Sequence, residues 1–185
     1  MNLKLLICAL ALAAVLLLDA GAPSPSDRGE TDYVKWFDHY LNDWTDFNYI
    51  YGSDAFEGAV FTANPYSIGL KRGDSEETVV FGMPVWNAYF ADLNGDGCPE
   101  LLASVSYGSG IVDEHVVVYD VKNDQTYTLW ERGVFDYVLS DDGGVLSVLR
   151  SEYNTPYLSG EYHKGVWGRL RLTKDEPAVL LFEDW

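Results

Sequence analysis

The chain is poor in cysteine: its 185 residues hold only Cys8 and Cys98. Cys8 lies inside an apolar leader, so an exported form would keep Cys98 alone. That excludes an internal disulfide framework and leaves a hydrophobic core or a bound metal to stabilise the fold. Basic side chains are scarce as well, with 12 Lys and Arg against 29 Asp and Glu and a net charge of −17. Such a balance repels nucleic acid and anionic membrane surfaces and attracts cations. Histidine is limited to His39, His115 and His163, which have no metal-ligand spacing. They are expected to be surface or hydrogen-bonded polar side chains, and zinc chemistry of the His-Glu-x-x-His kind has no residues to build on. The one long hydrophobic run, Leu5 to Leu18, falls short of the roughly 20 residues that a spanning helix needs.

That run sits in MNLKLLICALALAAVLLLDAGA, with Lys4 before it and Ala20-Gly21-Ala22 after it. Residues 1–22 therefore read as a signal peptide or, if uncleaved, as an N-terminal anchor, the only contact with a membrane that the sequence suggests. Cleavage would remove Lys4 and Asp19 together and leave the net charge at −17. The expected location is secreted or extracytoplasmic. Residues 23–30, beginning Pro23-Ser24-Pro25-Ser26, form a polar linker, and residues 31–185 are long enough for one domain with a sizeable core. An apolar content of 48% and an aromatic content of 15% set this part apart from disordered chains.

The expected fold class is mainly β (α+β), an antiparallel sheet system with one N-terminal amphipathic helix. Tyr33, Trp36, Phe37, Tyr40, Leu41, Trp44 and Phe47 recur at steps of three and one, which predicts that helix with an aromatic stripe. Downstream, short runs rich in Val, Tyr, Phe, Trp and Thr alternate with turn residues such as Lys71-Arg72-Gly73-Asp74 and Asp141-Asp142-Gly143-Gly144. Val85 to Ala91, Leu101 to Tyr107, Ile111 to Val121 and Val166 to Leu172 are among ten predicted strands. Val116-Val117-Val118 is apolar on both faces and predicts a central strand.

Between the first two of those strands lies DLNGDGCPE, Asp92 to Glu100. Asp92, Asn94 and Asp96 occupy positions one, three and five, Gly97 permits a sharp turn, Cys98 offers a backbone carbonyl at position seven, and Glu100 closes the shell at position nine. Hard oxygen donors at that spacing suit calcium. An EF-hand needs a bidentate Glu at position twelve and two flanking helices. Ala103 and two predicted strands stand there instead, so the expectation is a calcium loop joining two strands. The other reading is a solvated Asp/Asn/Gly turn that binds no ion.

On these residues the loop resembles the short Asp-x-Asn/Asp-x-Asp-Gly-x-x-Asp/Glu loops of FG-GAP and VCBS-type repeats, whose metal residues would fall on Asp92, Asn94, Asp96 and Glu100 with the Cys98 carbonyl. Over a longer span, GMPVWNAYFADLNGDGCPELLASVSYGSGIVDEHVVVYDV resembles the extracytoplasmic C-terminal domain found behind beta-lactam-sensing-type membrane metallopeptidase regulators of Gram-positive bacteria. That resemblance implies an exported domain without an assigned reaction. The peptidase activity does not carry over, because its metal motif is missing.

Function is thus expected to be binding or sensing at the cell envelope, with calcium as cofactor, no catalysis, and an unknown protein or glycan as partner. One alternative is a glycan-acting hydrolase using two carboxylates about 5–10 Å apart. Another is an inert structural accessory domain. Asp113 and His115 share a strand face and could form a dyad. Tyr153, Tyr157 and Tyr162, in a weakly periodic segment, are the aromatics most expected at the surface.

Overall fold

The computed structural model describes residues 32–39, 46–108, 112–142, 144–153, 165–175 and 177–185. The predicted signal peptide and linker lie outside the described residues, as do Tyr157 and Tyr162. Regular structure among the described residues is almost entirely β. Strands β1 (Tyr33–Asp38), β6 (Val85–Ala91), β7 (Glu100–Tyr107), β8 (Asp113–Asp120) and β9 (Gln125–Leu129) form a five-stranded sheet in the order β1-β6-β7-β8-β9. A second sheet holds β2 (Tyr49–Gly52), β3 (Val60–Asn64), β4 (Ser67–Arg72) and β5 (Ser75–Phe81), and a third holds β10 (Phe135–Asp142), β11 (Val145–Glu152), β12 (Gly165–Leu172) and β13 (Leu180–Asp184). Every strand pair is antiparallel.

The five-stranded sheet is the middle layer. Alternation along β7 sends Leu101, Ala103 and Val105 into one core with Phe61, Ile68, Leu70 and Val80 of the β2–β5 sheet. Leu102 points the other way, into a second core with Tyr137, Leu139, Val148 and Leu170 of the β10–β13 sheet. β8 repeats the pattern, with Val117 and Tyr119 in the first core and Val116 and Val118 in the second. Successive side chains of a strand leave on opposite faces, so a strand covered on both sides must be apolar at nearly every position. All eight residues of β8 are buried, as the Val116-Val117-Val118 run predicted.

Hydrogen bonds tie two of these layers together. Asn87 is fully buried. Its Nδ2 donates to the Leu139 carbonyl at 2.9 Å and its Oδ1 accepts from the Ser104 amide at 3.2 Å, while the Leu139 amide donates to Ser104 Oγ at 2.8 Å. A register shift between Val85 and Asn87 sets the phase that sends this amide toward the third sheet.

The predicted N-terminal helix is overturned where the chain is described. Tyr33–Asp38 is an edge strand, pairing Tyr33 with Ala91, Lys35 with Tyr89 and Phe37 with Ala88. The register skips Trp36, an extra residue that reverses the alternation halfway along the strand. Before it, Tyr33 and Lys35 reach Asp141 of β10, at 2.6 and 2.7 Å. After it, Phe37 enters the core beneath β2–β5, with Trp36 packed at its margin. Two alternating faces joined by a bulge place apolar residues at 33, 36 and 37, the spacing of a helical stripe. Tyr40, Leu41 and Trp44, which extended that stripe, lie outside the described residues. Apart from this, helical structure among the described residues is the 3-10 turn Asp54–Phe56.

The sheet-to-sheet link at Asn87 generates a direct test. Asn87→Leu would leave the Leu139 carbonyl and the Ser104 amide buried without their partner, at about 1–3 kcal/mol for each group. Thermal denaturation should show a midpoint at least about 4 °C lower, and an unchanged midpoint would contradict the role given to this amide.

Candidate metal centre

β6 ends at Ala91 and β7 begins at Glu100, directly opposite it, so the eight residues between them close a hairpin at the end of the middle sheet. The loop is wound around its own carboxylates. Asp92 Oδ1 accepts from the Asp96 amide at 3.0 Å and Oδ2 from the Gly97 amide at 2.9 Å, while Asn94 Oδ1 also accepts from the Asp96 amide at 2.8 Å. Asp96 Oδ1 takes the Cys98 amide at 2.9 Å. This tight winding needs left-handed backbone at Gly95 (φ 68°) and Gly97 (φ 87°), which glycine adopts without the steric cost of a Cβ.

Glu100 lies beneath the loop, 1% exposed, its Oε2 accepting from the Leu93 amide at 2.6 Å and its Oε1 from Asn94 Nδ2 at 2.8 Å. One carboxylate oxygen from each of Asp92, Asp96 and Glu100 lies within 4.8 Å of the others. Of the five residues predicted to bind the ion, the fold therefore converges these three side chains. It joins Asn94 to Glu100 through the amide nitrogen and places the Cys98 amide on Asp96. The Cys98 thiol faces the Ala55 carbonyl at 3.9 Å and has its pKa raised, first by burial and then by Asp96 and Glu100. A thiol kept protonated is a poor donor to a hard cation, so the offered set is oxygen only.

Three carboxylates this close repel one another. Burial is the main force raising the Glu100 pKa, to about 7, opposed by the Leu93 amide and reinforced by the charges of Asp120, Asp92 and Asp96. Asp96 moves the other way. Its partial burial is outweighed by the Cys98 amide and by the Lys122 ammonium, 3.0 Å from Oδ2. A second ammonium, Lys174 Nζ, donates to the Gly95 carbonyl at 3.3 Å.

Lys122, Lys174 and Asp120 are the neighbours that spacing along the sequence misses. Asp120 is buried and holds the β8–β9 turn by accepting from the amides of Lys122 and Asn123 and from Asn123 Nδ2. It approaches Glu100 because Leu101 pairs with Tyr119, a register that no local pattern encodes. The composition of the turn Lys122-Asn123-Asp124 was the only sequence signal there.

At the opposite end of the sheet the suggested Asp113–His115 dyad does not form. Asp113 Oδ1 accepts from the Gly133 amide at 3.1 Å, and Oδ2 lies 3.6 Å from Arg132 Nε. His115 is fully buried between Tyr107 and Trp130, with ring centroids at 4.5 and 5.3 Å, and neither imidazole nitrogen has a hydrogen-bond partner among the described residues. This departs from the expected surface or hydrogen-bonded histidine. Burial lowers its pKa to about 4, against the pull of Asp113, so it is neutral near pH 7. Tyr153 is half-buried, while the exposed tryptophans include Trp130 and Trp167.

Comparison with known proteins finds no matching family model, no similar curated protein and no similar solved structure.

The raised Glu100 pKa fixes the sign of a pH effect. The folded state holds this proton more tightly than the unfolded chain, so its stabilising contribution is complete below about pH 4.5 and is lost as pH rises through about 7. In excess chelator, melts across this interval should show that component in the wild type and lose it in Glu100→Gln. An identical pH slope in the two proteins would mean that Glu100 titrates normally.

Proposed function

We propose that this chain is an exported calcium-binding domain that works by binding or sensing at the cell envelope and carries out no reaction of its own. The observation that carries this reading is the convergence of Asp92, Asp96 and a buried Glu100 on one small volume, with oxygen as the only donor type. A buried carboxylate beside two others is unfavourable until a cation balances it, and a divalent ion held by hard oxygens does so directly. Asp92, Asp96 and Glu100 would supply charged ligands, and Asn94 and the Cys98 carbonyl neutral ones, completing the pattern shared with FG-GAP and VCBS-type loops. Bound calcium would fix the β6–β7 hairpin and, through Asp96 and Lys122, the neighbouring β8–β9 turn.

Export is supported by the apolar run Leu5 to Leu18, with Lys4 before it and Ala20-Gly21-Ala22 after it. The net charge of −17 supports a partner that is not nucleic acid. Paired carboxylates for glycan hydrolysis have less support, because Asp113 and Asp136, two of the buried acids away from the loop, accept backbone amides from Gly133 and Glu114.

Calorimetric titration should give one calcium per chain, with a dissociation constant of about 10⁻⁴ to 10⁻³ M. Asp96→Ala should abolish the binding heat without unfolding the protein, since Asp96 lies at the loop surface. A wild-type chain that takes up no calcium, or an Asp96→Ala chain that binds it normally, would overturn the assignment.

A further inference from the structure

The loop Asp92 to Glu100 does more than enclose its carboxylates. Its outer side forms one wall of a cleft of about 430 Å³ whose other walls are the β8–β9 turn and the chain between β12 and β13. That volume is in the range of small-ligand sites, about 300–1,000 Å³. The lining mixes Asn94, Asn123 and Gln125, which bring side-chain amides, with Tyr127, a half-buried ring with a hydroxyl, and with the charges of Asp96, Asp120, Asp175 and Lys174. The Tyr127 hydroxyl has no hydrogen-bond partner among the described residues.

We propose that this cleft binds a neutral saccharide and does so only with calcium in the adjoining loop, so the inference rests on the calcium reading. Amide groups and a phenol each donate and accept, which matches hydroxyl groups that also do both. The Tyr127 ring adds an apolar face for the C–H side of a sugar ring. Acidic sugars are disfavoured by Asp96, Asp120 and Asp175, which outnumber the single ammonium of Lys174 on this lining. An apolar peptide anchor would find only Leu172 and Ala178 as aliphatic contacts. Calcium enters because Asp96 belongs both to the wall and to the carboxylate cluster, because Asn94 of the wall donates to Glu100 of that cluster, and because Lys174 reaches across the cleft to the Gly95 carbonyl. An ion that fixes the loop therefore also fixes the wall, and ordering before ligand arrival raises affinity.

The test is calorimetric titration of the whole chain with cellohexaose, maltohexaose, xylohexaose and chitohexaose, each in about 2 mM calcium and in chelator. At least one sugar should saturate in calcium and bind at least tenfold more weakly in chelator. Gln125→Ala and Tyr127→Phe, neither of them a candidate ion ligand, should each weaken binding about tenfold, the worth of one hydrogen bond. Both variants should keep the calcium-induced rise in melting temperature. If that rise is present and no sugar saturates, the saccharide proposal fails while the calcium reading stands. Variants that bind like the wild type, or binding equal in calcium and chelator, also overturn it. A missing rise in the wild type overturns the calcium reading itself, and the calcium-dependent cleft with it.

Discussion

Strand β8 has no face left for solvent. All eight of its residues are buried because the β2–β5 sheet covers one side of the middle layer and the β10–β13 sheet the other. From this double covering follow the apolar runs of β6, of β7 and of Val116 to Tyr119 in β8, and also the rule for polar groups that remain inside: each needs a partner. Asn87 and Ser104 meet that rule by linking two layers through the backbone of Leu139. His115 breaks it, since both imidazole nitrogens are enclosed without a hydrogen bond among the described residues. The imidazole is tolerated as a neutral ring lying at a tilt between Tyr107 and Trp130.

Strands closed on both faces, as β6, β7 and β8 are, can present polar chemistry only at their ends. The β6–β7 connection uses one end to hold three carboxylates, and the electrostatics there are opposed at every step. Burial and like charges raise the Glu100 pKa, the Leu93 amide offsets part of that, and Lys122 compensates Asp96. This partial compensation explains how the loop can keep its shape around acidic groups. It also ties the nearby β8–β9 turn to the loop through Lys122 and Asp96. A stapling ion at ten times its dissociation constant would add roughly 1.4 kcal/mol to the stability of the fold.

Much of this was legible along the chain because it is local. Strand β6 falls at Val85 to Ala91 as its content of Val, Trp, Tyr and Phe predicted, and the apolar triplet Val116 to Val118 identified an inner strand covered on both faces. The loop Asp92 to Glu100 was readable because its donors are separated by only one residue. What escaped notice depends on phase and pairing. The bulge at Trp36 converts two strand faces into a helix-like spacing. β4 was passed over because Gly69 and the turn-like Lys71-Arg72 interrupt its pattern, although Ile68 and Leu70 reach the core. Asp120, Lys122 and Lys174 joined the candidate site through cross-strand register and loop proximity, neither of which leaves a mark in the order of residues.

The central claim is that Asp92, Asp96 and Glu100 close around calcium and that the ion supports the fold. Thermal melts at neutral pH in excess chelator, in about 2 mM calcium and in the same concentration of magnesium measure this most directly. The account predicts a calcium-selective rise of about 3–6 °C, the shift that roughly 1.4 kcal/mol produces in a chain of this size. Equal midpoints in chelator and calcium would contradict it and make the loop a hydrogen-bonded turn that carries its acidic groups without an ion.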